Sequence, residues 1–217
     1  MAELKNIAIY GAGGFGREVA CIINKINAIE PTWNLIGFFD DGVEKGKQIS
    51  HFGPVLGNID DLNAWDMPLA VVLAIGNPNI VKLLANKISN EKISFPNIIA
   101  PSVTFLDRES VQMGKGNLIL SNCLVSCDVK IGDFNIFNGF IPVGHDVEMG
   151  NYNVVMPSVN ISGAVKIGDC NFFGVQSVVL QCLKIGNDTR IGANSVIIRN
   201  TKDGNLYMGN PATKIKF

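Results

Sequence analysis

The sequence predicts an α/β unit with a parallel sheet, followed by an all-β coil of six-residue repeats. Three observations carry this reading. An apolar residue recurs at every sixth position from Met113 to Ile197, without a slip or an insertion. Every third such residue is followed by glycine, at Gly114, Gly132, Gly150, Gly168 and Gly186. Near the N-terminus, an apolar run meets Gly11-Ala12-Gly13-Gly14-Phe15-Gly16 and then a segment of helical periodicity.

The elements follow in chain order. Residues 6–10 are a short apolar run that reads as a buried strand. Gly11, Gly13 and Gly16 match a G-x-G-x-x-G turn, and residues 17–27 read as a helix whose N-terminus presents free N–H groups to an anion. Residues 34–39 read as a second strand ending in Asp40-Asp41, where carboxylates can accept from ribose or base donors. Residues 69–75 read as a third strand that ends in Gly76-Asn77-Pro78-Asn79 before another helix. The three loops fall together at the carboxyl edge of a parallel sheet, where open α/β sheets bind ligands. Residues 94–99 are expected to add a fourth strand. The boundary is expected at Ala100-Pro101-Ser102, giving units 1–101 and 102–217.

In the second unit, three hexads make one eighteen-residue coil with three short strands and three corners. The sixth-position residues point to the axis and stack on those eighteen away. The position four further on also faces inward and is small or medium, as at Asn117, Cys123, Asn135, Asn153, Asn171 and Ser177. Inward asparagines can bond from coil to coil. The glycines are expected to supply backbone conformations that side chains resist.

Composition bounds the function. Hydrophobic residues are 47% and charged residues 17%, an ordinary globular balance, and the net charge of -1 offers no field for nucleic acid or a membrane surface. The stretch from Lys184 onward carries six basic residues (Lys184, Arg190, Arg199, Lys202, Lys214, Lys216) and two acidic ones, which suits an anionic ligand. The longest apolar stretch, residues 67–76, is too short to span a bilayer, and the N-terminus lacks a signal-peptide pattern. Five cysteines without a C-x-x-C are expected to be reduced, buried thiols of a cytoplasmic protein. With two histidines, His51 and His145, no three-histidine zinc site can form, and no metal is expected.

His51 lies in a polar loop and reads as a surface residue. His145 sits at the third position of its hexad, pointing outward near a corner, where a solvated side chain is the plain alternative to a base. Asp146 beside it could hold one tautomer of the imidazole. Neighbours on a regular strand face opposite ways, so that pairing requires a corner.

Hexads of the form [Ile/Val/Leu]-Gly-x-x-small-x resemble those of the hexapeptide-repeat proteins, which implies a left-handed parallel β-helix. The glycine-turn unit, His145-Asp146 in the hexads and Gly209-Asn210-Pro211-Ala212-Thr213-Lys214 near the end together resemble the bacterial nucleotide-sugar acetyltransferases. These comprise the UDP-4-amino-sugar N-acetyltransferases and the sialic acid O-acetyltransferase-like proteins. The resemblance implies that His145 is the catalytic base, that Asp146 tunes it, and that the backbone N–H of Gly163, eighteen residues on, is an oxyanion donor. It implies acetyl-CoA near Val154, Gly174, Val175, Gly192 and Ala193, with the basic C-terminal segment at its phosphates. It implies a nucleotide on Ala12, Gly13 and Gly14, with Asp40, Asp41 and Gly76 near the uridine and Asn138 near the sugar. It further implies a homotrimer with sites between subunits. Three departures are Phe15 and Ala100, where histidine is frequent in the family, and Gly144 before the base.

Amino versus hydroxyl transfer stays open at this point. Two other readings are a dinucleotide oxidoreductase, for which roughly 100 residues of α/β structure are too few, and a non-catalytic sugar-nucleotide binder.

Overall fold

The computed structural model describes residues 4–215. Lys216, counted in the basic segment, and the first three residues of the N-terminal run lie outside them. The chain opens with β1 (Lys5–Tyr10), α1 (Gly14–Ile29), β2 (Trp33–Phe39), β3 (Val55–Gly57), α2 (Ile59–Asn63), β4 (Leu69–Leu73), α3 (Pro78–Lys87) and β5 (Ile93–Ser94). The sheet order is β3-β2-β1-β4-β5, with every pair parallel. Strand order therefore reverses between β1 and β4, and the loops after these two strands flank the reversal, the place where such sheets open a crevice.

Local chemistry explains the elements. Ile7, Ala8, Ile9 and Tyr10 are all buried, as a central parallel strand covered on both faces requires. Helix α1 buries Val19, Ala20, Ile22 and Ile23 on one stripe. Helix α3 begins where Asn77 accepts from the Asn79 N–H and Pro78 fills the first turn, whose N–H groups have no helical partner. Strand β3 and helix α2 were not foreseen. Helix α2 spans one turn and rests on a reciprocal cap between Asn58 and Asp61, a local signal too short to register as periodicity.

The expected fourth strand over residues 94–99 is divided between two sheets. Strand β5 pairs with β4, whereas Ile98–Ile99 pairs with Leu118–Ile119 of the solenoid. Pro96 between them offers no N–H, and the Asn97 side chain turns the chain by donating to Gly114 O (2.7 Å) and accepting from the Asn117 N–H (2.8 Å).

The solenoid is a three-faced parallel β-helix of the left-handed class, built from two-residue strands. Pairing repeats every eighteen residues in the middle, as Lys130↔Glu148 and Glu148↔Lys166 show. The first coil takes twenty (Ile98↔Leu118, Thr104↔Leu124) and the last sixteen (Arg190↔Leu206). Those two changes of length place the strands at both ends of the solenoid outside the six-residue frame. The hairpin of Leu206–Gly209 and Ala212–Lys214 covers the end of one face.

The interior follows the repeat. Val125, Phe137, Val155, Ile161, Phe173 and Val179 are fully or almost fully buried. Asn117, Asn135, Asn153 and Asn171 form a ladder in which each Oδ1 accepts the backbone N–H of the next at 2.7–2.9 Å, ending on Thr189. The glycines act otherwise than expected. The left-handed conformation falls three positions after the apolar residue, where Asp128, Phe134, Asp146, Ser158, Ala164 and Cys170 have φ between 55° and 61°. The repeat glycines are instead needed for space. A Cβ on Gly132 would lie 2.6 Å from Gly150 O, beneath an outer ladder in which Asp133, Asn151, Asp169, Asn187 and Asp203 each cap the N–H of the coil before.

The three faces differ. One shows Lys130, Glu148, Lys166 and Lys184 to solvent, with Glu148 bridging Lys130 and Lys166. A second turns Ile98, Leu118, Ile136 and Val154 into one core shared with the α/β unit. The third, from Thr104–Phe105 to Val196–Ile197, has no charged strand residue and exposes Leu124, with Leu106, Leu180 and Ile198 just beyond its strands. The thiols are only partly as expected: Cys123 and Cys170 are buried, but Cys21 and Cys182 are exposed, because they fall on the outer side of α1 and on a solenoid corner.

Candidate active site

Two regions of this chain carry the chemistry-bearing residues. The first is the corner after Pro142–Val143. Asp146 is in the left-handed region (φ 57°), which swings its carboxylate to the same side as the preceding imidazole. His145 Nδ1 and Asp146 Oδ2 are 2.7 Å apart. An ionised carboxylate there holds the proton on Nδ1 and leaves Nε2 as the free acceptor. The ring lies over Gly163, whose Cβ, if present, would be 2.6 Å from Nε2. Gly163 is buried, and its N–H donates to no group among the described residues. The coil above is held by the Ala164 N–H donating to His145 O (2.7 Å). Gly144 is required here because a Cβ would meet the Gly163 N at 2.5 Å. The His145 and Asp146 side chains are half-exposed on their own chain, 51% and 61%.

The second region begins at the crevice of the sheet. Gly11 and Gly16 are packing glycines. Gly11 has φ +113° with Ala74 O 2.7 Å from a notional Cβ, and one on Gly16 would strike Gly11 O. Gly13, Gly14 and Gly76 are different. Nothing lies within 4 Å of their Cβ positions except Arg17 Nη2, 3.9 Å from that of Gly14, so the chain itself leaves this space open. Helix α1 starts at Gly14 with no side-chain cap and no acidic residue in its first turn, which leaves N–H donors facing the opening.

Asp40 and Asp41 are partly committed. Asp40 accepts from the Ala12 N–H (2.8 Å) and the Gly42 N–H (2.8 Å), pinning the glycine turn to the end of β2. Ala12 therefore offers no free N–H. Asp41 accepts on Oδ1 from the Tyr10 hydroxyl (2.7 Å) and the Ile59 N–H (3.0 Å). Burial, then the Asp41 hydrogen bond, pushes the Tyr10 hydroxyl well above its ordinary value, so it stays a donor.

From Gly14 and Gly76 a groove of about 470 Å³ runs onto the solenoid past Phe15, Asn138 and Val154. Met156 and Phe172 continue it into a second groove of about 490 Å³ lined by Gly174, Val175, Gly192 and Ala193, with Arg190 and Leu206 at its far side. Four of the five residues expected near acetyl-CoA thus share one wall, and Val154 lies closer to the glycine turn than expected. Asn138 lines this groove and not the His145 corner. The two flank opposite ends of the strand Pro142–Val143. Met156, Phe172 and Leu206 escaped the sequence reading, although the first belongs to the column Asn138, Met156, Gly174, Gly192 at eighteen-residue spacing, and Arg190 entered it only as part of the basic C-terminal segment. No group of three or more potential metal ligands occurs among the described residues.

Residues 6–88 match the PglD N-terminal domain family. No curated protein sequence matches the chain. Among solved structures, the acetyltransferase domain of PglB from Neisseria gonorrhoeae FA1090, in complex with acetyl coenzyme A, is 26% identical with a TM-score of 0.87, over 98% of this chain and 100% of that one. Over essentially its whole length the chain is thus similar to nucleotide-sugar acetyltransferases, the class that its repeats and glycine turn implied. Two further solved structures are similar to it. A mutant of perosamine N-acetyltransferase from Caulobacter crescentus, in complex with CoA and GDP-perosamine, is 26% identical over 99% of both chains, TM-score 0.85. WeeI from Acinetobacter baumannii AYE is 26% identical over 97% of this chain and 100% of that one, TM-score 0.86.

Proposed function

We propose that this protein transfers the acetyl group of acetyl-CoA to the amino group of a nucleotide-linked amino sugar, in the cytoplasm, for the synthesis of a bacterial surface glycan or glycoprotein. The observation that carries the reading is the His145 corner: an imidazole held by a carboxylate at 2.7 Å, its free nitrogen above a glycine whose N–H is unused. The relatives with bound acetyl coenzyme A or with CoA and GDP-perosamine support the donor and the acceptor class.

Nε2 of His145 takes a proton from the acceptor amine as the nitrogen attacks the thioester carbonyl. A C–N bond forms, the carbonyl π pair moves to oxygen, and the Gly163 N–H meets that oxyanion. Collapse breaks the C–S bond, and the imidazolium returns its proton to the CoA thiolate. Asp146 stabilises the imidazolium between the two steps. Acetyl-CoA occupies the groove of Gly174, Val175, Gly192 and Ala193, with Val154 toward its reacting end. The acceptor's diphosphate lies on Gly13 and Gly14 beside Ala12, its base near Asp41 and Gly76, and its sugar near Asn138. Asp40 shapes the turn rather than reading the ligand. Ala12 contributes shape rather than a donor.

The site is completed between subunits of a homotrimer. On one chain the base and the groove lie at opposite ends of the uncharged face, so a second copy packed on that face brings one chain's His145 to its neighbour's groove. The exposed Leu106, Leu124, Leu180 and Ile198 give that face its apolar area.

Thiol release from acetyl-CoA against a panel of UDP-, GDP- and dTDP-linked amino sugars tests the proposal. Release with an amino sugar and none with its hydroxyl counterpart is expected. Turnover only with hydroxyl acceptors would move the protein to O-transfer, and binding without thiol release would make it a sensor.

A further inference from the structure

The glycine turn and the groove that leads from it carry two charges that nothing above uses, Arg17 beside the turn and Glu18 in the groove wall. Both are exposed on the first turns of α1, and neither forms an ion pair or a side-chain hydrogen bond among the described residues. They point to different places. The Arg17 guanidinium leans back over the glycine turn, with Nη2 3.9 Å from the Cβ position of Gly14. Glu18 lines the groove that joins Gly14 and Gly76 to Asn138 and Val154, and also the adjoining groove between α1 and Phe140. It is the one carboxylate in the wall between the glycine turn and the solenoid, which is otherwise apolar or amide: Phe15, Ile136, Asn138, Val154, Met156 and Phe172.

The order of charge along this wall is informative. The helix start, its unused N–H groups and Arg17 make the glycine end positive. Glu18 follows Gly14 by four residues, roughly 6 Å along the helix at 1.5 Å per residue, a span comparable to one pyranose ring. A diphosphate at the positive end therefore places the far side of the attached sugar at Glu18. An amino sugar carries its positive charge on that far side, whereas the corresponding neutral sugar carries none.

Resting on the acceptor class proposed above, we infer that Glu18 is the residue that selects an amine-bearing acceptor, by accepting hydrogen bonds from its amino group, and that Arg17 holds the diphosphate irrespective of the sugar. A carboxylate facing a charged amine forms a charge-assisted hydrogen bond, about twice the strength of a neutral one. Facing a hydroxyl it forms a weaker one. Glu18 thus acts in binding and orientation: the bound ammonium loses one proton to solvent before attack, and His145 receives the second as the C–N bond forms.

The test measures equilibrium binding, so it does not depend on turnover. GDP-perosamine and GDP-rhamnose form one probe pair that differs by amine against hydroxyl; a UDP-linked 4-amino-6-deoxyhexosamine and its 4-hydroxy counterpart form the other. Wild type is expected to bind the amino member of at least one pair about tenfold more tightly. Glu18→Gln should remove that preference by weakening the amino sugar alone. Arg17→Gln should weaken both members equally and keep the ratio. An unchanged preference in Glu18→Gln, or no preference in wild type, overturns the inference while leaving acetyl transfer standing. If wild type binds neither pair, the acceptor class itself falls and takes the inference with it. Both positions are solvent-exposed on the helix, and unchanged melting temperatures will show that the variants remain folded.

Discussion

His145 and Gly163 stand together because the coil places one above the other. His145→Ala removes the proton acceptor and leaves the groove of Gly174 and Gly192 intact. Thiol release should fall about 10²–10⁴-fold, while calorimetric acetyl-CoA binding persists; a variant that turns over normally would remove His145 from the mechanism. Gly163→Ala should also lower kcat, because its Cβ would be 2.6 Å from Nε2 and must tilt the ring away from the reacting groups. Both residues were legible in the sequence through the eighteen-residue period. The hydrogen bond to Asp146 was legible only as a condition, since it depends on the left-handed corner. Thiol chemistry provides a separate check. Cys21 and Cys182 are exposed, whereas burial pushes the Cys123 and Cys170 thiols up. An aromatic disulfide reagent should therefore titrate the exposed pair in the native protein and the buried pair only after unfolding.

At the level of elements, the two ladders set how the solenoid tolerates change. Gly132→Ala puts a Cβ 2.6 Å from a backbone carbonyl oxygen of the next coil, which cannot rotate away. The expected loss is about 1–3 kcal/mol in denaturant unfolding, where the same change at a free corner would cost little. The outer ladder ends on Asp203, whose carboxylate is held below its ordinary range first by the backbone N–H of Asn187 and then by its side chain. A depressed carboxylate stabilises the fold above its unfolded value, near 3.9, and loses that contribution as pH falls through the folded value. Asp203→Ala should therefore lower the melting temperature at neutral pH, and the gap to wild type should close in strong acid. A gap that persists at low pH would show that packing, not charge, holds the last coil.

For the whole molecule, the proposed function places the base and the groove at two different corners and so predicts that assembly is part of the chemistry. Leu124 and Leu180 are exposed on a single chain, so Leu124→Lys and Leu180→Glu would each bury a charge only in the proposed trimer. Sedimentation should show smaller species with lost turnover, whereas acceptor-nucleotide binding by the glycine turn persists. A complementation experiment addresses the site directly. Chains bearing His145→Ala and chains bearing Gly13→Val, which fills the open cradle, are each expected to be inactive alone. Mixed trimers should regain activity, because one chain supplies the base and its neighbour the cradle. Mixtures without activity would mean that each chain builds its own site.

The sequence by itself determined the coil, the glycine turn, the inward asparagines and the candidate base, because each is a local or strictly periodic feature whose geometry is set by spacing. It also led one element astray: the stretch 94–99 has the composition of one strand, but Pro96 and Asn97 hand it from one sheet to another. Only the tertiary structure decided which glycines are packed and which are open, since Gly11 and Gly13 read alike until Ala74 arrives from a distant strand. It likewise decided that Asp40 holds the turn, and that Asn138 belongs with Gly14 rather than with His145. The physical reason is common to all of these. A period states which residues share a column, but which column is covered, and by what, depends on where a separately folded unit docks on one of three similar faces.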